Sequence, residues 1–172
     1  MNIRRHFLIV TLLLALFPGS AHVSQVFPDF QTLESLSASS FVLLVEPATP
    51  AFSNETLPHA PGSKADVVSR ARWTVLEVLR AEKAMAKGSV IRVARYNESF
   101  DLAMSHSIAS GMPTPSVAAP MYQGAASGPD GRRILFLSGD PATGLFHEVC
   151  IGSSESADSL ARVRKILRKR KP

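Results

Sequence analysis

Apolar and polar residues follow two different periods along the chain. In residues 29–36 the large apolar side chains recur every three positions behind Asp29, which predicts a short helix with Asp29 as its N-terminal cap. The run 41–45, Phe-Val-Leu-Leu-Val, is too short for a helix and is rich in β-forming residues. We interpret it as a buried strand that Pro47 ends.

Two further pairs of segments have the alternation of strands. Residues 71–79 and 89–96 predict two strands that pair through a helix-favouring turn at 82–87. Residues 133–138 and 145–151 are β-rich, and the six residues between them are turn formers. This second pair therefore predicts a hairpin.

The C-terminal part of the chain predicts an amphipathic helix. Residues 156–158 can cap its start, and its apolar residues recur on one face. We expect the helix to dock through Val163, Ile166 and Leu167, while the basic residues 168–171 stay solvated at the end where they complement the helix dipole.

Two segments have no regular period. Residues 47–65 contain four prolines, so we expect a long loop without a regular element. Residues 103–131 are rich in Ala, Ser, Gly and Pro and predict a second long loop. No internal repeat is visible, and we expect one β-rich domain over 22–161, followed by a basic helix end and tail at 162–172.

The N-terminus has the composition of a secretory signal peptide. Basic residues precede the apolar run 7–17, and Gly19 and Ala21 are small enough for the peptidase. A retained anchor helix is the alternative, but this run would rise only about 16 Å at ~1.5 Å per residue, against a bilayer core of roughly 30 Å. We expect residues 1–21 to be removed and the protein to be exported, periplasmic or extracellular.

The net charge of +5 is unevenly distributed along the chain. Residues 22–161 contain ten basic and fourteen acidic residues, a net charge of −4, whereas seven basic residues lie in 162–171. This division argues against a nucleic-acid-binding surface on the folded domain, because such surfaces gather Lys and Arg. It leaves two alternatives for the basic tail: weak contact with an anionic surface such as lipid headgroups, or a solvated terminus with no role.

Several of the predicted strands together resemble a known family. The segments 41–45, 73–79 (Trp-Thr-Val-Leu-Glu-Val-Leu), 88–93 (Gly-Ser-Val-Ile-Arg-Val) and 131–137 (Gly-Arg-Arg-Ile-Leu-Phe-Leu) are similar, in order, to exported bacterial domains related to the tissue-inhibitor-of-metalloproteinase and netrin-like group. The resemblance implies a mainly β fold, a small OB-like five-stranded barrel with a short N-terminal helix and a C-terminal amphipathic helix. Protease inhibition in that family needs an N-terminal cysteine, which is absent near His22, so no functional residue is carried over.

The sequence predicts no catalytic, cofactor-binding or metal site. Cys150 is the one cysteine, which permits no internal disulfide, and its apolar neighbours favour a buried structural thiol. A nucleophilic pair of Cys150 with His147 is disfavoured, because residues three apart in a strand point to opposite faces. The other histidines have no metal-ligand spacing, and the Gly-x-Ser-x-Gly motif does not occur.

Two other features of the sequence are candidate binding sites. Residues 152–154, Gly-Ser-Ser, could hold an anion with backbone N–H groups, although a capping loop is the simpler interpretation. Trp73, Tyr96 and Tyr122 could form an aromatic binding face, but the alternation of its strand places Trp73 in the core.

These observations favour a non-enzymatic binding or interaction module of the bacterial cell envelope, a monomer whose partner is an unknown protein or small ligand and not nucleic acid. The alternative is an envelope hydrolase whose site residues converge only in the fold. A convergent polar pocket with two titratable groups would favour the hydrolase, whereas an apolar patch on the barrel would favour the module.

Overall fold

The computed structural model describes most of the predicted domain, namely residues 30–57, 66–96, 98, 119–124 and 130–170. The predicted signal peptide at 1–21 and much of the predicted loop at 103–131 lie outside these residues. No helix in the described ranges is long and apolar enough to cross a membrane.

The described chain forms two helices and six strands. In order they are α1 (Leu33–Leu36), β1 (Phe41–Thr56), β2 (Val67–Ala81), β3 (Val90–Ala94), β4 (Arg133–Asp140), β5 (Leu145–Glu148), β6 (Ser154–Ser156) and α2 (Leu160–Lys169). The sheet order is β1-β2-β3-β5-β4-β6, and β1 also pairs with β4. That extra pairing closes β1 to β5 into a ring, in which β3 and β5 are parallel and the other neighbours are antiparallel.

The predicted fold class is confirmed. The structure is mainly β, with a ring of five strands that closes like the OB-like architecture, a short helix before it and an amphipathic helix after it. The predicted pairing of β2 with β3 and the predicted hairpin of β4 and β5 are both present. The sequence did not predict β6, a short strand that pairs with the first residues of β4.

The prediction of a loop over residues 47–65 is wrong for residues 47–56, which belong to β1. β1 continues through Pro47 and Pro50 and pairs with β2 along its whole length except for a break. The register shifts between Pro47 and Phe52, so Pro50 lies in an irregular stretch where the ladder needs no N–H from it. The strand therefore accommodates both prolines and does not end at either of them.

Two local predictions need correction. α1 begins at Leu33, and its cap is Thr32, whose hydroxyl accepts a 3.1 Å hydrogen bond from the Ser35 N–H; Asp29 lies outside the described residues. The predicted helical turn at 82–87 is absent. Its ends are held by other segments instead: the N–H of Glu82 donates to the carbonyl oxygen of Ser40 over 3.0 Å, and the N–H of Gly88 donates to that of Val75 over 2.8 Å.

The two faces of β1 enter two different cores. Residues alternate across a strand, so Phe41 and Leu43 point into the ring while Val42 points outwards to the helices. The ring core contains Phe41, Leu43, Val45, Val75, Ile91, Val93, Leu135, Leu137 and Phe146. The outer core contains Leu33, Leu36, Val42, Ile134, Phe136, Cys150 and Val163. Burial on both faces explains the continuous apolar run at 41–45.

Candidate functional site

The C-terminal helix lies where the sequence predicts. Val163 is fully buried in the outer core, and Ile166 and Leu167 are partly buried against it. A single 3₁₀ turn, Ala157–Ser159, leads into α2, and the hydroxyl of Ser156 accepts from the N–H of Asp158. The predicted docking through one apolar face is confirmed, and it turns the opposite, basic face of α2 outwards.

An open groove of about 530 Å³ lies between α2 and the end of β2, and we call it the α2 groove. Its apolar lining residues are Val78, Leu79, Ala81 and Leu167. Its charged lining residues are Glu77, Arg80, Arg164, Arg168 and Arg170. Four guanidinium groups thus face one carboxylate, which makes the groove electropositive.

One ion pair crosses the groove and joins the helix to the ring. The guanidinium of Arg164 donates to both carboxylate oxygens of Glu77, over 2.8 and 2.7 Å. Both side chains are more than two-fifths exposed, so the pair fixes geometry more than it stabilises the fold. It also neutralises the one acidic residue of the groove.

The end of α2 carries uncompensated positive charge. Lys165, Arg168, Lys169 and Arg170 are exposed, and none of them lies within salt-bridge distance of a carboxylate in the described part of the chain. The partial negative charge at the helix C-terminus favours cations there but balances only a fraction of four charges. These four residues, which we call the basic patch, are therefore available to an anion.

The sequence located the basic patch but not the groove. Arg80 and Glu77 complete the groove from β2, some 80 positions before α2, and the local pattern of β2 gives no sign that these two residues meet the helix. The burial of the apolar face of α2 around Val163, together with the Arg164–Glu77 ion pair, brings the two segments together.

Cys150 and His147 do not form a catalytic pair. Cys150 is 1% exposed in the outer core, and burial, with a smaller contribution from the charge of Glu148, raises the pKa of its thiol to about 11. His147 is exposed on β5. The predicted buried structural cysteine is confirmed, and the thiol is protonated at neutral pH.

Two of the three N–H groups of the loop at 152–154 are already engaged by backbone carbonyl groups. The N–H of Ser153 donates to the carbonyl oxygen of Cys150, and the N–H of Ser154 donates to that of Gly152. The Ser153 hydroxyl donates to the carbonyl oxygen of Phe136 over 3.1 Å. Across the described ranges, no three His, Cys, Asp or Glu side chains are placed to hold a metal ion. His22, His59 and His106 lie outside those ranges.

The three aromatic residues do not form one face. Trp73 packs against the ring core but stays partly exposed, whereas Tyr122 packs on the outer core with its ring edge-on to Phe136. The Tyr122 hydroxyl donates to the carboxylate of Glu155, and burial together with that bond raises the pKa of Tyr122. Tyr96 is 41% exposed. The prediction that Trp73 lies in the core is therefore right for only part of its ring system.

Three arginines of β2 and β3 are already engaged by other groups of the protein. Arg70 pairs with Glu55 and Glu98, each over 2.8 Å, and Arg92 pairs with Glu55 over 2.7 Å. Arg72 donates to the carbonyl oxygen of Pro50. These cations link β1, β2 and β3. Unlike the residues of the basic patch, they are already bound to other groups of the protein.

Comparison with known proteins gives no relative for this chain. No family model matches it, and neither a curated protein nor a solved structure does. The resemblance to the tissue-inhibitor-of-metalloproteinase and netrin-like group stays a prediction.

Proposed function

We propose that the protein is an exported, non-enzymatic binding module of the bacterial cell envelope that attaches to anionic lipid surfaces through α2. The observation that carries this proposal is the basic patch, Lys165, Arg168, Lys169 and Arg170, which lies uncompensated beside the α2 groove. The predicted signal peptide at 1–21 supports the exported location.

The expected binding is weak, reversible and electrostatic. A basic residue near an anionic lipid surface contributes about 1 kcal/mol, so four residues contribute roughly 4 kcal/mol. The screening length falls from about 30 Å at 0.01 M salt to about 10 Å at 0.1 M, and binding weakens accordingly. The apolar lining of the groove offers a nonpolar surface next to these charges.

The chemistry of the groove supports binding and not hydrolysis. Glu77 is the one carboxylate among the lining residues, and the other charged residues of the lining are arginines, which stay protonated in proteins. Glu77 is already held by Arg164. General acid–base hydrolysis needs two groups that exchange protons, and the groove does not supply them.

The proposal predicts the effect of removing two charges of the patch. Cosedimentation is measured with vesicles of phosphatidylcholine alone and of phosphatidylcholine with phosphatidylglycerol, at 0.01 M and 0.1 M salt. The mature protein should bind the anionic vesicles, and more weakly at the higher salt. The double variant Arg168→Gln, Arg170→Gln should lose about 2 kcal/mol, roughly 30-fold in affinity.

The matched control removes the same charge elsewhere. Lys87 and Arg132 are both exposed and lie off the helix, so the double variant Lys87→Gln, Arg132→Gln should bind as the wild type does. If the two double variants lost equal vesicle affinity, the net charge of the protein and not the basic patch would explain the binding. Equal binding to the neutral and the anionic vesicles would overturn the proposal.

A further inference from the structure

A second cavity lies at the end of the ring where β3 and β5 finish and β4 begins. It has a volume of about 130 Å³, and we call it the mouth cleft. Its lining residues are Phe52, Ser69, Ala71, Trp73, Val93, Arg95, Arg133, Leu135, Glu148 and Ser154. The chain supplies these residues from all six strands and from Arg95 just after β3, so the cleft exists only in the closed fold.

One wall of the mouth cleft is the end of the ring core. Val93 and Leu135 belong to that core and are nearly fully buried. Trp73 packs against the same core and leaves part of its surface towards the cleft. Trp73 is also the single tryptophan of the chain, so the tryptophan fluorescence comes from a residue that lines this cavity.

The other wall carries two opposite charges that do not pair with each other. The Glu148 carboxylate is half-buried and accepts a 3.3 Å hydrogen bond from the N–H of Tyr96. Arg95 is exposed, and within the described residues no salt bridge joins it to Glu148. Arg133 is held by Ser154, whose hydroxyl accepts from its guanidinium over 2.9 Å.

Keeping the Glu148 carboxylate in this position is unfavourable for the fold. Burial raises the pKa of Glu148, although the Tyr96 N–H and the charges of Arg95 and Arg133 act in the opposite direction. A ligand that brings a cation to Glu148 would compensate this cost, and a carboxylate perturbed by burial in a cleft is a candidate for such a binding role.

We propose that the mouth cleft binds a small zwitterion of amino-acid size. Its ammonium group lies against Glu148, its carboxylate against Arg95, and its apolar part against Trp73. An amine alone would meet the repulsion of Arg95 and Arg133, and an acid alone would meet that of Glu148. The volume corresponds to about four water molecules in the liquid, which matches a ligand of amino-acid size. This site is separate from the α2 groove and extends the proposed function.

Valine and its two single-charge analogues test the proposal on the mature protein. Isobutylamine lacks the carboxylate, and isovalerate lacks the ammonium. Binding is measured by calorimetry and by the fluorescence of Trp73. Valine should change the fluorescence and should bind about tenfold more tightly than either analogue, because each analogue leaves one charged group without its partner.

Two substitutions assign the charges. Glu148→Gln should weaken valine binding about tenfold and leave isovalerate binding unchanged or stronger, whereas Arg95→Gln should weaken valine and spare isobutylamine. Arg132→Gln, an exposed cation outside the cleft, is the control and should bind valine as the wild type does. Absence of valine binding, analogues that bind as tightly as valine, or valine affinity unchanged in both cleft variants would overturn the proposal. Vesicle binding should be the same in Glu148→Gln and in the wild type, so the two proposals fail independently.

Discussion

Replacing Arg70 by Met is expected to lower the free energy of unfolding by about 3–5 kcal/mol. The Arg70 side chain is 6% exposed and holds Glu55 and Glu98, both largely buried. Removing the cation leaves the Glu98 carboxylate without a salt-bridge partner in a poorly hydrated place. The loss of free energy is measured by urea unfolding, and the slope of the free energy against urea concentration should stay the same.

Two further variants separate the charge from the packing. Arg92 shares Glu55 with Arg70 but its side chain is 38% exposed, so Arg92→Met should cost no more than about 1 kcal/mol. Adding Glu98→Gln to Arg70→Met removes the carboxylate that has lost its partner, so it should restore part of the stability. A double variant less stable than Arg70→Met would show that the buried charge is not the cause.

Replacing Phe146 by Ala is expected to cost a similar 3–5 kcal/mol. Phe146 lies on β5 and is fully buried inside the ring, where its aromatic ring meets that of Phe41 edge-on at 5.1 Å between centroids. The substitution opens a cavity where β1, β3 and β5 meet, and the ring core collapses only partly around it.

Phe52 is the matched control for this second prediction. The same substitution at Phe52, which is 63% exposed on β1, should change the free energy of unfolding by no more than about 0.5 kcal/mol. The closed ring would be contradicted if Phe146→Ala and Phe52→Ala lowered the free energy of unfolding by similar amounts, whether both losses were large or both were small.

Local pattern predicts the central strands but not their length. Residues 41–45 form a strand because both faces are buried, and that burial leaves an apolar run in the sequence. Beyond Val45 the strand is stabilised by pairing with β2, and its prolines lie where the register breaks. Pairing between distant segments leaves no local signal, so the sequence predicts a loop there instead.

The two cavities differ in how far the sequence reveals them. The basic residues of α2 are visible as a charge run, and their helix is visible from its apolar spacing. The mouth cleft combines Trp73, Arg95 and Glu148 from three separate strands or strand ends, and no sequence motif connects these three residues. Such convergence depends on the closure of the ring, which a single sequence does not show.

The most direct test of the account is to identify the surface of the protein that contacts an anionic vesicle. An environment-sensitive fluorophore is attached to a cysteine at Lys169→Cys on α2 or at Asn54→Cys, both exposed, in a chain that also carries Cys150→Ser. Asn54 pairs with Ser69 near the end of β2 that is remote from the α2 groove. If the protein attaches through α2, vesicles shift the emission to shorter wavelength at position 169 and leave it unchanged at position 54. A shift at position 54 alone, or none at 169 while the protein cosediments, would contradict attachment through α2.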